Sequence, residues 1–159
     1  MNIFLESFRM CGCSKDPEDK AIVKDVTEAP IFSRANEAIE RYNAGCNLQE
    51  QGNIVGAIAQ YRQAVSLDPT HADAHYNLAS ALQELGQLEE AEKHYKRTVT
   101  ICPGHHLAFY NMGYLYQEMN KMDKSIESFK KASKIEPNDA DTVMTMLYPL
   151  FQLHIFVAH

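Results

Sequence analysis

The sequence predicts an all-α fold, an α-solenoid of three tandem helix–turn–helix units followed by a partial fourth. Two observations carry this prediction. The chain repeats itself with a period of 34 residues, and within each period apolar residues recur at the three- and four-residue spacing of a helix. A third observation, a proline at one position near the end of every period, indicates where the second helix of each unit ends.

The three full units span residues 38–71, 72–105 and 106–139, and five of their aligned columns are identical. Counted within a unit, the identical columns are positions 5, 6, 12, 13 and 32. In that order they contain Tyr42, Tyr76 and Tyr110; Asn43, Asn77 and Asn111; Gln49, Gln83 and Gln117; Glu50, Glu84 and Glu118; and Pro69, Pro103 and Pro137. Chance matching would give fewer than about one such column, so the period is a structural repeat.

Each unit is predicted to contain two helices that pack closely. Gly52, Gly86 and Asn120 stand at the turn between them, where a helix C-cap favours residues that tolerate the left-handed conformation. Small residues at positions 8 and 20 allow close approach, and an aromatic residue at position 24 fills the space beside them. These columns contain Gly45, Ala79 and Gly113; Ala57, Ala91 and Ser125; and Tyr61, Tyr95 and Phe129.

The period, the step from Ala to an aromatic residue four positions later, and the place of the proline resemble the tetratricopeptide repeat family. The resemblance covers 38–139, about two thirds of the chain. It implies a solenoid whose first helices line a concave groove, and a protein-interaction module without catalysis or cofactor. Unit one departs from the family at position 4, where Arg41 replaces a bulky apolar residue, a change that an end repeat tolerates.

Composition and motifs exclude several function classes. The 159 residues carry 15 Lys+Arg and 21 Asp+Glu, a formal charge of −6 without a basic block, which argues against nucleic acid and anionic membranes as partners. No phosphate-binding loop, zinc-protease motif or nucleophile elbow is present, so we expect no enzyme. The four cysteines form no secreted-domain framework, which predicts a reducing compartment, the cytoplasm, with the nucleus as an alternative.

The flanks are predicted to differ from the repeats. Residues 1–32 are expected to form a flexible N-terminal segment, and Ser33 to cap the first helix of a domain that covers 33–139. Residues 140–159 begin a partial fourth unit and end in an apolar tail without charged side chains after Asp141. We expect the tail to fold back over the exposed face of unit three. The alternatives are a shortened product of a longer array and, least favoured, a membrane tail.

Two cysteine-containing segments suggest more specific chemistry. Cys11 and Cys13 follow an apolar N-terminal run, and the main interpretation is a segment that docks loosely on the first repeat. The alternative is S-acylation of both thiols. Near the second turn proline, Cys102, His105 and His106 resemble half of a metal site, but their spacing matches no structural zinc pattern. We therefore predict no metal and interpret this segment as a loop between repeats.

The first helices point to a peptide-binding function. Positions 2, 5, 6, 9, 12 and 13 share one stripe of each first helix, and no Lys or Arg occupies any of them. Repeat domains of this family that clamp the acidic C-termini of chaperones need Lys and Arg in this stripe. The matching places contain Tyr42, Cys46, Asn77, Leu107 and Asn111, of which only Asn77 fits. We predict that no chaperone carboxylate clamp is present.

The asparagine column also resembles the asparagine ladder of the O-GlcNAc transferase repeat array, which grips the backbone of an extended peptide. An amide can donate and accept, so Asn43, Asn77 and Asn111 are the leading peptide-binding candidates. The tyrosines of position 5 and Tyr114, and the glutamines and glutamates of positions 12 and 13, complete the predicted site. The acidic row favours neutral to basic segments. The alternative interpretation is a generic family consensus that binds no peptide.

Two other functions remain open at this point. The chain is also consistent with the non-catalytic part of a larger enzyme, such as an O-GlcNAc-type glycosyltransferase. A third interpretation is an assembly protein that associates with itself through the apolar tail.

Overall fold

A computed structural model describes residues 29–137 of the chain, and within this range the fold is all-α. The six helices are α1 (Ala29–Glu50), α2 (Ile54–Leu67), α3 (Ala72–Glu84), α4 (Leu88–Ile101), α5 (His106–Glu118) and α6 (Met122–Ile135). They form three antiparallel hairpins, one for each predicted repeat. The predicted fold is confirmed. Cys11, Cys13, the predicted fourth unit and the apolar tail lie outside the described residues.

The hairpins stack in chain order. The closest packing is within each pair, α1 on α2, α3 on α4 and α5 on α6, and the pairs are joined by α2 against α3 and α4 against α5. A continuous core therefore runs through all three units, as in other repeat arrays whose units cannot bury their apolar faces alone. Its largest fully buried side chains include one aromatic residue from each second helix: Tyr61, Tyr95 and Phe129.

Helix α1 is longer than predicted. It begins at Ala29, and Ser33 lies inside it, so the prediction that Ser33 caps the helix is wrong. Pro30 falls in the first turn, where the missing N–H has no helical partner to lose. Residues 31–44 contain neither glycine nor proline, so nothing in the local sequence interrupts the helix after its first turn.

The turns inside the units match the prediction. Gly52, Gly86 and Asn120 have positive φ angles of 76°, 73° and 57°. In the first turn the N–H of Asn53 donates to the carbonyl oxygen of Leu48 at 2.8 Å, which closes the six-residue loop of a Schellman cap. These left-handed residues reverse the chain and satisfy carbonyl groups that the helix end leaves open.

The predicted close approach of the paired helices is also confirmed. A Cβ atom added to Gly45 would lie 2.5 Å from Cε1 of Tyr61, and one added to Gly113 would lie 2.5 Å from Cζ of Phe129. Glycine is therefore required at both places by the ring that packs against the backbone. Unit two accommodates Ala79 at the same position, where it is fully buried.

Candidate functional site

The site is the surface formed by positions 2, 5, 6, 9, 12 and 13 of α1, α3 and α5, which we call the first-helix face. Hydrogen bonds between successive units run along it. Asn77 donates from Nδ2 to the hydroxyl oxygen of Tyr42 at 3.3 Å, and Asn111 donates from Nδ2 to the hydroxyl oxygen of Tyr76 at 3.0 Å. We call the contact between two successive units a joint. The same pair of columns thus forms the same bond at both joints, between units one and two and between units two and three. The invariant Asn and Tyr columns connect neighbouring units.

A histidine completes each joint. His71 accepts a hydrogen bond at Nδ1 from the N–H of Ala74, so it caps α3, and its ring centroid lies 4.8 Å from that of Tyr42. At the next joint His105 accepts from the N–H of Ala108 and lies 4.7 Å from the ring of Tyr76. The histidine side chain thus ties the start of one first helix to the tyrosine of the preceding unit.

The histidine caps also explain the Cys102–His106 segment. Nδ1 of His105 accepts the capping hydrogen bond, and the ring is 4% exposed. Burial lowers the pKa of His105, although the Asp73 carboxylate, 3.8 Å from Nε2, acts to raise that pKa. Residues 29–137 contain no group of three or more metal-ligating side chains placed to hold an ion. The spacing of a repeat joint therefore accounts for the position of His105.

The glutamine column anchors the first helix to the second. The hydroxyl of Tyr61 donates to Oε1 of Gln49 at 2.8 Å, and that of Tyr95 donates to Oε1 of Gln83 at 3.1 Å. Burial raises the pKa of both phenols, so both remain donors at neutral pH. Unit three has Phe129 at this position, so no equivalent hydroxyl reaches Gln117.

The glutamates of position 13 differ in their hydrogen bonds. Gln83 donates from Nε2 to Oε1 of Glu118 at 2.7 Å, which joins units two and three. Gln49 and Glu84 occupy the matching places between units one and two, but no such bond joins them. Glu50 and Glu84 are exposed, and neither has a hydrogen-bond or ion-pair partner within residues 29–137. The amide of Asn43 is likewise exposed, since no preceding unit supplies a tyrosine to it in the described range.

The face of unit three is aromatic. Tyr110, Tyr114 and Phe129 make edge-to-face contacts with centroid separations of 5.0, 5.6 and 5.4 Å. The hydroxyl oxygens of the two tyrosines lie 2.9 Å apart. Tyr114 stands where units one and two have Cys46 and Ser80, so the composition of the face changes along the array from polar to aromatic.

Positive charge is segregated away from the first-helix face. Helices α3 and α5 contain no Lys or Arg, and those of α1, Arg34 and Arg41, lie outside the positions of the face. The other basic side chains of the described range lie on the second helices or on the turn before α6: Arg62, Lys93, Lys96, Arg97, Lys121, Lys124, Lys130, Lys131 and Lys134. The charged groups of the face are therefore carboxylates.

Three stacked helical hairpins with the same internal spacing define an α-helical repeat protein. Two family models match the chain, one described as TPR repeat over residues 48–86 and one as tetratricopeptide repeat over residues 70–138. Together they span 48–138, which is more than half of the chain. The chain therefore belongs to the tetratricopeptide repeat family.

Solved structures show the same fold. The first TPR domain of Spaghetti (RPAP3), bound to the HSP90 peptide SRMEEVD, matches with a TM-score of 0.73 and 20% identity, over 76% of this chain and 95% of that one. MamA matches with a TM-score of 0.73 and 23% identity, over 80% and 74%. The Arabidopsis OM64 TPR domain matches at 0.72 and 17%, over 75% and 98%. No curated protein matches the sequence.

At these identities the likeness concerns the fold.

In the described part of the chain, no helix is both long enough and apolar enough to cross a membrane.

Proposed function

We propose that the chain binds an extended segment of a partner protein along the first-helix face and has no catalytic activity of its own. Membership of the tetratricopeptide repeat family supports a protein-interaction module. The Spaghetti (RPAP3) domain, which shares the fold, holds a peptide. The observation that carries the proposal is the ladder of Asn–Tyr hydrogen bonds, which repeats between successive first helices.

The Asn–Tyr hydrogen bonds fix the asparagine amides before a ligand binds. A tyrosine hydroxyl holds the amides of Asn77 and Asn111, so less side-chain freedom is lost when a peptide binds. Nδ2 of Asn77 also lies 3.6 Å from Sγ of Cys46, so its hydrogens are directed within the protein. Such an amide offers mainly its carbonyl oxygen, an acceptor for a peptide N–H. Each such bond contributes about 0.5–1.5 kcal/mol, so neighbouring aromatic contacts are needed for micromolar affinity.

The chemistry of the face favours a neutral to basic segment. An acidic chaperone tail needs Lys or Arg along the first helices, and the places that would hold them contain Tyr42, Cys46, Leu107 and Asn111 beside Asn77. We propose that this chain does not use a carboxylate clamp, although a neighbour of the same fold holds the peptide SRMEEVD. We also propose that it acts in the cytoplasm, with the nucleus as the alternative.

The test is selection of a random peptide library against the purified chain and two variants. The triple variant Asn43→Ala, Asn77→Ala, Asn111→Ala removes the proposed ligand contacts. It also removes the two Asn–Tyr hydrogen bonds between units. The control Tyr42→Phe, Tyr76→Phe removes the same two joint bonds and keeps every asparagine. Circular dichroism confirms that each variant is folded.

We expect the Tyr→Phe control to enrich the same peptide class as the wild type but less strongly, because it keeps every asparagine and no longer orients two of the amides. We expect the asparagine variant to lose that class. Enrichment of one peptide class by all three proteins would show that the asparagines do not bind the ligand. Absence of enrichment by the folded wild type would overturn the proposed function.

A further inference from the structure

We propose that His71 and His105 are positioning residues of the first-helix face. Each ring holds the tyrosine of the preceding unit, and that tyrosine orients the asparagine amide that meets the bound segment. This inference rests on the proposed function, because it states which residues prepare the face for the segment without touching it.

At the joint between units one and two, three side chains form a continuous series of contacts. The N–H of Ala74 donates to Nδ1 of His71 at 3.2 Å, which ties the ring to the backbone of α3. That ring lies 4.8 Å from the ring of Tyr42, with the two planes inclined by 36°. The hydroxyl oxygen of Tyr42 accepts from Nδ2 of Asn77 at 3.3 Å. The histidine therefore fixes the phenol, and the phenol fixes the rotation of the amide.

The joint between units two and three repeats this series. The N–H of Ala108 donates to Nδ1 of His105 at 3.1 Å, and the ring lies 4.7 Å from that of Tyr76, again inclined by 36°. The hydroxyl oxygen of Tyr76 accepts from Nδ2 of Asn111 at 3.0 Å. The same order of contacts at nearly the same separations is therefore a property of the repeat and not of one joint.

Helix capping alone does not account for a histidine at this position. N-caps favour Ser, Thr, Asp and Asn, whose short side chains accept the same hydrogen bond. Asn53 does so at the start of α2, where its Oδ1 accepts from the N–H of Gly56 at 3.0 Å, and α4 and α6 begin without a side-chain cap bond. The two histidines begin α3 and α5, the helices that contain Asn77 and Asn111. The rings thus occur where an amide has to be oriented.

The consequence for binding follows from side-chain freedom. An amide that rotates freely must be immobilised when a segment binds, and immobilising one side chain weakens the affinity by about 2- to 10-fold. An amide that a tyrosine already holds avoids this loss. Removing the ring that fixes the tyrosine should therefore weaken binding by about this factor at each joint.

The experiment separates the ring of each histidine from its capping nitrogen. The double variant His71→Asn, His105→Asn keeps a cap acceptor at both helices and removes both rings. The double variant His71→Phe, His105→Phe keeps the rings and removes both acceptors. The control Asn53→Ala removes the cap of α2, which lies outside the first-helix face.

Three measurements are made on each protein. Proton–nitrogen correlation NMR follows the side-chain amides of Asn77 and Asn111, assigned through the single variants Asn77→Ala and Asn111→Ala. Fluorescence anisotropy gives the affinity for the peptide that the wild-type chain enriches most. Urea unfolding gives the stability, which a merely structural role of the histidines would change in proportion to any loss of binding.

We expect the histidine-to-asparagine variant to shift both amide resonances and to lose about 2- to 10-fold in affinity for each joint. The phenylalanine variant should keep the amide resonances and the affinity, although its urea midpoint falls because two caps are lost. The control should have a lower urea midpoint and unchanged resonances and affinity. If a phenylalanine in the buried place of His105 prevents folding, the single variants of the half-buried His71 give the same comparison.

The outcomes separate this inference from the proposed function. Wild-type resonances or wild-type affinity in the histidine-to-asparagine variant would overturn the positioning role and leave peptide binding standing. Affinities that follow the urea midpoint across all variants would also overturn it, because stability alone would then account for the loss. Absence of any enriched peptide for the folded wild type would overturn the proposed function, and this inference with it.

Discussion

Asn111 donates a hydrogen bond from Nδ2 to the hydroxyl of Tyr76 at 3.0 Å, across the joint between units two and three. The two residues are 35 positions apart, one more than the repeat period, and Asn77 stands in the same relation to Tyr42. Two invariant columns that are neighbours in sequence thus meet across units. The bond gives both residue types a role between units, in addition to the ligand contact that we propose for the asparagines.

Replacing Tyr76 by Phe should lower the free energy of unfolding by about 0.5–1.5 kcal/mol, because the half-buried amide of Asn111 loses its acceptor. Urea unfolding followed by circular dichroism measures this. Tyr42→Phe should cost less, since its bond to Asn77 is longer at 3.3 Å. An unchanged midpoint for both variants would show that the joint bonds do not contribute to stability.

Replacing Gly113 by Ala should destabilise the fold by about 1–3 kcal/mol, since the new Cβ would lie 2.5 Å from ring atoms of Phe129 and force the ring to move. The matched control is Gly104→Ala, where a Cβ meets nothing within 4 Å. Thermal unfolding of both variants gives the comparison. Equal melting temperatures would mean that α5 and α6 separate without cost, as Ala79 permits in unit two.

Replacing Ser125 by Ala should stabilise the fold by about 1 kcal/mol. Its hydroxyl is fully buried at position 20 and has no hydrogen-bond partner within the described residues. Removing it eliminates the free-energy cost of burying an unbonded hydroxyl. The control is Ser128→Ala, because that hydroxyl donates to the carbonyl oxygen of Lys124 at 2.8 Å. Loss of stability in Ser125→Ala, measured by urea unfolding, would show that the hydroxyl has a partner.

The stability of unit two should depend on pH through His75 and His94. Their Nδ1 atoms lie 2.9 Å apart and the rings stack at 5.2 Å, so one nitrogen must donate and the other accept. Nε2 of His75 lies 3.2 Å from the carbonyl oxygen of Pro69, which assigns that nitrogen as a donor and Nδ1 of His75 as the acceptor. This hydrogen bond therefore requires a neutral His75, and protonation of both rings would place two positive charges against each other.

Burial lowers the pKa of both histidines, that of His94 to about 4. Charged and titratable groups surround them: Arg62, Asp68, His71, Glu90, Lys93 and Arg97. Because the folded pKa lies below the unfolded value of about 6.5, the stabilisation is complete above that pH and is lost as the pH falls toward 4. We expect a loss of about 2 kcal/mol between pH 7 and pH 5 by urea unfolding.

The variant His94→Gln isolates this effect, since the titration of surface carboxylates is the same in both proteins. Its stability should change less between pH 7 and pH 5 than that of the wild type. Parallel pH profiles for the two proteins would contradict the lowering of the histidine pKa values by burial.

Local chemistry made much of the fold predictable. The period located all three hairpins, the turn residues Gly52, Gly86 and Asn120 have the positive φ expected of them, and Gly45 and Gly113 lie under the predicted rings. The start of α1 was predicted wrongly, at Ser33, because a serine is a good cap only where the chain before it leaves the helix, and here the helix continues back to Ala29.

The sequence predicted which residues share the first-helix face, but not the contacts that they make between units. Helical spacing placed the Tyr, Asn, Gln and Glu columns on one face, but their binding of a peptide stays a prediction. The joints made by His71 and His105 were missed, although both histidines occupy the last position of a unit, immediately before a first helix. That recurrence was the available signal.

By itself, the sequence determined the helical units, their boundaries at glycine, asparagine and proline, and the absence of basic side chains from one stripe, because each depends on neighbours within one turn or one hairpin. Only the tertiary structure decided which side chains meet between units, since that depends on the relative register of separate helices. It alone shows that Gln83 donates to Glu118 while Gln49 does not donate to Glu84, a difference between identical repeat positions.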